Sequence, residues 1–298
     1  MADKIIITSF EELYKKLGDL AVKWAFNSPM GILGNLLKDL SGNGFDGVMN
    51  NVSLFSPNDI PNRAGMFNGI TSYVSTKFIL PERYYIKMRI APTSENTGVI
   101  LSSADYAEGG TSQTDGTNIS SSGYNKTFSI NHHCYNGKSY MNNSSTASFP
   151  VNYFITYEVF HNNIMKAPLS HKVNGSDLRT MECNAEIRQR RTVTLGKSRD
   201  TTSRLLYTGH IQFIEVYDLD KLKQMNFLLQ DKTGKYYTID AQNRIVTIPE
   251  SQYVTDDILA ETIKTSGFDV SLLEELPKIM VDGWFQKEFK LVGLQPSE

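Results

Sequence analysis

Cysteine is scarce. The 298 residues hold two, Cys134 and Cys183, too few for a disulfide framework. Both fall on the apolar phase of their predicted strands and are expected as buried thiols, with a single bridge between them as the alternative. Charge excess of either sign is missing too, with 30 basic against 32 acidic residues and a net charge of −2. A nucleic-acid binder normally carries a basic stripe, so no nucleic-acid partner is expected. No apolar run reaches the ~20 residues of a membrane helix, and no membrane insertion is expected. A signal peptide is not visible, because Lys4 precedes only Ile5, Ile6 and Ile7 before polar residues begin. The expectation is a protein made in a cytoplasm that does not leave by the secretory route. Tryptophan is rare at two residues, whereas Tyr and Phe number 15 each, a balance that suits a β-rich core.

What is present reads mainly as β. Residues 207–218 carry Ile211, Phe213, Ile214, Val216 and Tyr217, opened by Gly209 and closed by Asp-Leu-Asp. Alternation fails between Phe213 and Ile214, which predicts a bulge or burial on both faces. Residues 84–90 alternate cleanly, with Tyr84, Ile86, Met88 and Ile90 on one face and Lys87 and Arg89 on the other. Residues 151–160 repeat the pattern, with Tyr153, Ile155, Tyr157 and Val159 inward. Residues 76–80, 99–101, 128–134 and 181–188 are further strand candidates. Turn signals separate them, including Tyr135-Asn136-Gly137-Lys138. Many short strands without helical crossovers predict an antiparallel jelly-roll β-sandwich.

The flanks read differently. Thr8 and Ser9, with Glu11 or Glu12 three residues on, form a capping-box signature. Phe10, Leu13, Leu17, Leu20, Ala21 and Trp24 follow at helical spacing. A second short helix is expected over 32–40. Residues 1–45 are therefore predicted as an N-terminal helical arm, 46–221 as the sandwich and 222–298 as a small C-terminal α+β domain. That last unit is expected to hold a hairpin about Thr233-Gly234, helices over 256–264 and 270–280, and a final apolar-basic segment. Residues 46–66 read as irregular.

Two polar insertions, 104–126 and 139–149, interrupt the strand rhythm. Loops this long are often functional, and Tyr among Ser, Gly and Asn suits adaptable recognition. Tyr106, Tyr124, Tyr135, Tyr140 and Asn142 are the candidate glycan-binding residues.

The segment 67–218 resembles the concanavalin A-like lectin/glucanase jelly roll, including its laminin-G-like forms. Phe67-Asn68-Gly69-Ile70, the strands over 76–80 and 84–90, the hairpin over 153–165 and the closing GHIQFIEVY carry that resemblance. Residues 236–240 and 255–280 resemble appendages of bacteriophage tail and baseplate proteins. Together the resemblances imply a non-enzymatic virion protein with a lectin-like module. It would hold to other virion proteins through its N-terminal helices and C-terminal unit, form a homo-oligomer and meet a host-surface glycan. A purely structural virion role is the alternative within that class.

Catalytic chemistry finds little support. Glycoside hydrolysis needs two carboxylates flanking one bond, and the Glu-x-Asp-x-x-Glu pattern of the resembled glucanases is absent. Glu158 is a lone carboxylate, kept as the candidate of an alternative, glycan-degrading reading. Glu182 and Glu186 read as a solvated face beside Arg188 and Arg190. His132, His133 and Cys134 are adjacent, but neighbours in a strand point to opposite faces, so no metal site is expected. Asp105, Glu108 and Asp115 of the long loop could supply some of the carboxylates a calcium ion needs. No cofactor is expected.

Overall fold

The strand that closes the sequence pattern sits at the centre of a sheet. The computed structural model describes residues 19–94, 98–104, 116–135, 140–144, 148–161, 168–182, 189, 191–198, 206–219, 225–231, 236–239, 245–247, 278–281 and 287–296. The chain divides into two units, one spanning Leu20–Asp218 and the other taking in Leu219 onward.

In the larger unit the strands are β1 (Asp19–Ala25), the hairpin β2 (Ile32–Leu33) and β3 (Leu36–Leu37), β4 (Gly47–Asn50), β5 (Ser53–Phe55), β6 (Ala64–Asn68) and β7 (Tyr73–Ile79). Then come β8 (Tyr84–Pro92), β9 (Gly98–Ser102), β10 (Gly116–Tyr124), β11 (Thr127–Tyr135), β12 (Tyr140–Ser144) and β13 (Phe149–Pro150). Last are β14 (Ile155–His161), β15 (Pro168–Val173), β16 (Ser176–Glu182), β17 (Thr192–Leu195) and β18 (Thr208–Asp218). One sheet runs β16-β15-β14-β8-β18-β6-β5, with β1 also paired to β18. The other runs β12-β11-β10-β9-β17-β7-β4-β3-β2, with β13 paired to β11. The paired strands are antiparallel, and the core lies between the two sheets.

The alternating patterns place that core. Tyr84, Ile86, Met88 and Ile90 of β8, with Ile155, Tyr157 and Val159 of β14, are fully buried. They face Val74, Ile100, Leu101, Ile119, Ile130, Val193 and Leu195 of the other sheet. The irregularity in β18 is a bulge, but it lies at Gln212 and not between Phe213 and Ile214. Ile211 pairs with Ile90 and Phe213 with Arg89, so Gln212 is the extra residue. The bulge moves the buried phase from Ile211 to Ile214 and Val216. Before it, β18 pairs with β6. At it, Phe26 N–H donates to Gln212 O at 2.9 Å and the Gln212 amide donates to Pro61 O at 2.8 Å. Beyond it Lys23 of β1 meets Glu215.

Several expectations are corrected. No helix forms over residues 19–45. Leu20, Ala21 and Trp24 lie in β1, and 32–40 holds the β2–β3 hairpin. The capping-box residues lie outside the described residues. The sandwich does not begin at residue 46, since Val22, Trp24, Phe26 and Leu37 belong to its core. Residues 46–66, read as irregular, carry β4, β5 and the start of β6. Tyr153 is not inward. It is 53% exposed, in a turn where its N–H donates to Pro150 O at 3.3 Å.

The insertion over 104–126 is not loop throughout, because β10 pairs with β9 and β11. Its Ser, Asn and Gly have low strand propensity. Backbone pairing on both sides and the buried Ile119 override that preference. The insertion over 139–149 likewise contains β12 and β13.

The second unit contributes β19 (Met225–Asp231), β20 (Tyr236–Ile239), β21 (Ile245–Thr247), β22 (Lys278–Val281) and β23 (Lys287–Pro296). They form one antiparallel sheet in the order β21-β20-β19-β23-β22. β19 and β20 make the expected hairpin. Lys278–Met280 is strand, not the end of a helix, because β22 pairs with β23. The helix expected over 256–264 lies outside the described residues.

Candidate functional site

The outward phase of the first sheet is ordered in rows. On β8 the outward residues are Tyr85, Lys87, Arg89 and Ala91, and the in-register pairs extend each row across the neighbouring strands.

The Lys87 row is a ladder of alternating charge. Lys87 stands opposite Glu215 of β18 on one side and Glu158 of β14 on the other. Glu158 in turn stands opposite Lys172 of β15. At the other end Lys23 Nζ reaches Glu215 Oε1 at 2.8 Å. Opposite charges directly across strands are favourable pairs. The lone carboxylate of the sequence therefore sits between two lysines. Its Oε1 also accepts a hydrogen bond from Tyr85 OH at 2.6 Å, and the residue is 7% exposed.

Glu158 and Glu215 stand two strands apart, roughly 10 Å between backbones, with Lys87 between them in register. Glu158→Gln removes one charge from the ladder while keeping the side-chain shape. It is expected to cost about 1–3 kcal/mol, read as a lowered urea midpoint with an unchanged slope.

The Ala91 row is aromatic. His210 pairs with Ala91, and Phe154 precedes the Ile155–Ile90 pair on the outward phase. Ala91 is small enough for the two rings to close over it. His210 and Phe154 stack with centroids 6.1 Å apart and planes at 24°. Phe55 lies against the same imidazole at 4.7 Å. Met66, in register with His210, is 38% exposed and Phe55 is 40% exposed. Burial pushes the His210 pKa down, so near neutral pH the ring is an uncharged plate.

Between these rows lies Arg89, opposite Phe213 and Thr156. Its guanidinium is 5.7 Å from the Phe154 ring centre and donates to Thr156 Oγ1 at 3.3 Å.

The interior also holds polar groups. Tyr84 OH hydrogen-bonds His132 Nε2 at 2.9 Å and Thr117 Oγ1 at 3.1 Å. Gln189 donates to Thr117 Oγ1 at 2.8 Å and accepts from Ser103 Oγ at 2.8 Å. His161 lies against Tyr84 at 4.9 Å and edge-on to His132 at 5.9 Å. No group of three metal-ligating side chains occurs among the described residues.

The sequence candidates fall elsewhere. Tyr135 and Tyr140 are brought opposite each other on β11 and β12, and Asn142 pairs with His133. Tyr124 ends β10 against Thr127, whereas Tyr135 pairs with Gly116 at the other end of that strand. Eight residues of strand, roughly 27 Å, separate it from the other two tyrosines. Tyr106, Asp105, Glu108 and Asp115 lie outside the described residues, as do Cys183, Glu186 and Arg188.

The aromatic row went unseen in the sequence. Its signal was Phe154, an apolar residue on the phase opposite to Ile155, Tyr157 and Val159.

No protein-family model matches this chain, and no curated protein sequence matches it. Solved structures do. The native heptameric SAP-like pentraxin from Limulus polyphemus is 18% identical over 51% of this chain and 73% of that one, with a TM-score of 0.40. Domain 4 of AbnA, a GH43 extracellular arabinanase from Geobacillus stearothermophilus solved with arabinotriose, is 13% identical over 67% of this chain and 93% of that one, with a TM-score of 0.49. The IT-sialidase CBM40 of Ruminococcus gnavus, bound to alpha2,3 sialyllactose, is 18% identical over 46% of this chain and 77% of that one, with a TM-score of 0.40.

Proposed function

We propose that the sandwich is a non-enzymatic glycan-binding module and that the Phe55–His210–Phe154 row is its binding surface. The observation that carries the proposal is this row of part-exposed rings on an outward sheet face. Part-exposed rings side by side supply apolar carbons on which the apolar face of a sugar can pack while its hydroxyls stay in water. The lectin resemblance of residues 67–218 supports the same reading.

The test is a glycan array followed by titration with the best ligands. Phe154→Ala is expected to weaken binding about two- to tenfold, the loss of one stacking ring. Tyr135→Ala and Tyr140→Ala are expected to leave it unchanged. The reverse result would move the site to the β11–β12 hairpin. Incubating the parent protein with each bound polysaccharide is expected to release no shorter chains. Release that Glu158→Gln abolishes would instead favour the glycan-degrading reading.

We infer that the module works in a virion, as the sequence resemblances imply. β1 to β3 belong to the sandwich, so attachment to other virion proteins falls to the C-terminal unit. Homo-oligomerisation is part of this reading. Deleting residues 222–298 is expected to leave glycan binding intact and to abolish incorporation into particles. Incorporation of the truncated chain would overturn the assignment.

A further inference from the structure

We propose that the surface selects an acidic sugar, with the carboxylate of a uronic or sialic type of residue held by Arg89. The inference rests on the glycan reading of the Ala91 row and names the ligand class for it.

Charge on this face is otherwise matched. Lys23, Glu215, Lys87, Glu158 and Lys172 alternate across five strands, so each cation in that row faces a carboxylate. Arg89, one row away, faces Phe213 and Thr156 instead. No ion pair to Arg89 occurs among the described residues, and its one hydrogen bond goes to a neutral hydroxyl. A guanidinium has five N–H donors in a planar fork that fits a carboxylate in two-point contact. One is used here. The cation is also only part-exposed, which strengthens a charge-assisted hydrogen bond relative to one made in open water.

The guanidinium also sits beside the aromatic row. Arg89 lies over the Phe154 ring, and that ring stacks on His210. A ligand that satisfies both features has an apolar ring face and an anionic group projecting from the same ring. A pyranose carrying a carboxylate has both. A free small anion would use Arg89 and ignore the rings. A neutral sugar would use the rings and leave the cation unmatched. His210 stays uncharged near neutral pH, so the positive charge of the row is concentrated on Arg89.

The experiment measures affinity for matched oligosaccharide pairs, carboxylated and carboxyl-reduced, by calorimetry on the full chain. The parent is expected to favour the carboxylated member about tenfold or more, the scale of a two-point charged contact. In Arg89→Gln that ratio is expected to fall to about one, and in Arg89→Lys to an intermediate value, since a point charge keeps attraction and loses the fork.

A parent that binds both members equally overturns the acidic-sugar inference and leaves the glycan reading standing. A preference that survives Arg89→Gln overturns it as well. So does loss of both ligands together in Arg89→Gln, which would make the guanidinium a support for Phe154. A parent that binds neither member overturns both proposals.

Discussion

Trp24→Ala is expected to destabilise the larger unit by about 3–5 kcal/mol, enough to remove much of the stability of an ordinary domain. The indole is 1% exposed. Its edge meets Phe78 at 5.8 Å, and its N–H donates to Phe45 O at 2.8 Å. Truncation empties the largest side chain of the core and strands a part-buried carbonyl. Trp24→Phe keeps most of the packing and loses the hydrogen bond, so its cost is expected near 1–2 kcal/mol. Equilibrium urea unfolding of the three proteins measures both. Deleting residues 1–45 is the stronger version, since it removes Val22, Phe26 and Leu37 with Trp24. It is expected to abolish cooperative unfolding. A truncated protein that still unfolds cooperatively would return this segment to the status of a detachable arm.

That expectation reverses the sequence reading of residues 1–45 as a helical arm. Leu17, Leu20, Ala21 and Trp24 fit a helical stripe, but AVKWAF also alternates. Val22, Trp24 and Phe26 go inward, and Lys23 goes out to Glu215. Positions four apart satisfy both periods, so the shorter period decides only when its intermediate residues are weighed. The 32–40 segment held a clearer sign. Gly34-Asn35 between Ile32-Leu33 and Leu36-Leu37 is a two-residue hairpin signal, and Gly34 has the positive φ of 60° that such a turn requires.

β8, β14 and β18 were legible because one face of each is apolar and the other polar. β10 was not, because its place between β9 and β11 is a tertiary fact. The same holds for the outward rows. Lys87, Glu158 and Glu215 are far apart in the chain, and only strand register puts them in line. Arg89 reads in the sequence as one more solvent-facing residue. Its lack of a facing carboxylate becomes visible only beside the paired row.

His161→Phe is expected to flatten the acid side of the stability profile. His161 has no exposed surface, and burial pushes its pKa from 6.5 down to about 3. The Glu82 backbone works weakly the other way, and neither ring nitrogen makes a hydrogen bond of normal geometry. The folded protein therefore refuses a proton that the unfolded chain accepts. The fold is free of this penalty above pH 6.5 and loses stability as the pH falls from there towards 3. Between pH 7.5 and 4.5 the loss is roughly 2–3 kcal/mol for this one group.

Phenylalanine keeps a ring against Tyr84 and cannot be protonated. At pH 7.5 it is expected to be as stable as the parent or more so, because neither nitrogen of the buried imidazole makes a hydrogen bond of normal geometry to offset its desolvation. Other carboxylates and histidines titrate over the same range in both proteins, so the difference between the two curves isolates His161. Urea unfolding at half-unit pH steps reads that difference. Parallel curves would mean that the ring is protonated within the fold, with the interface between the sheets opening to admit the charge. A gap that widens below pH 6.5 would identify His161 as the group that sets the acid limit of the sandwich.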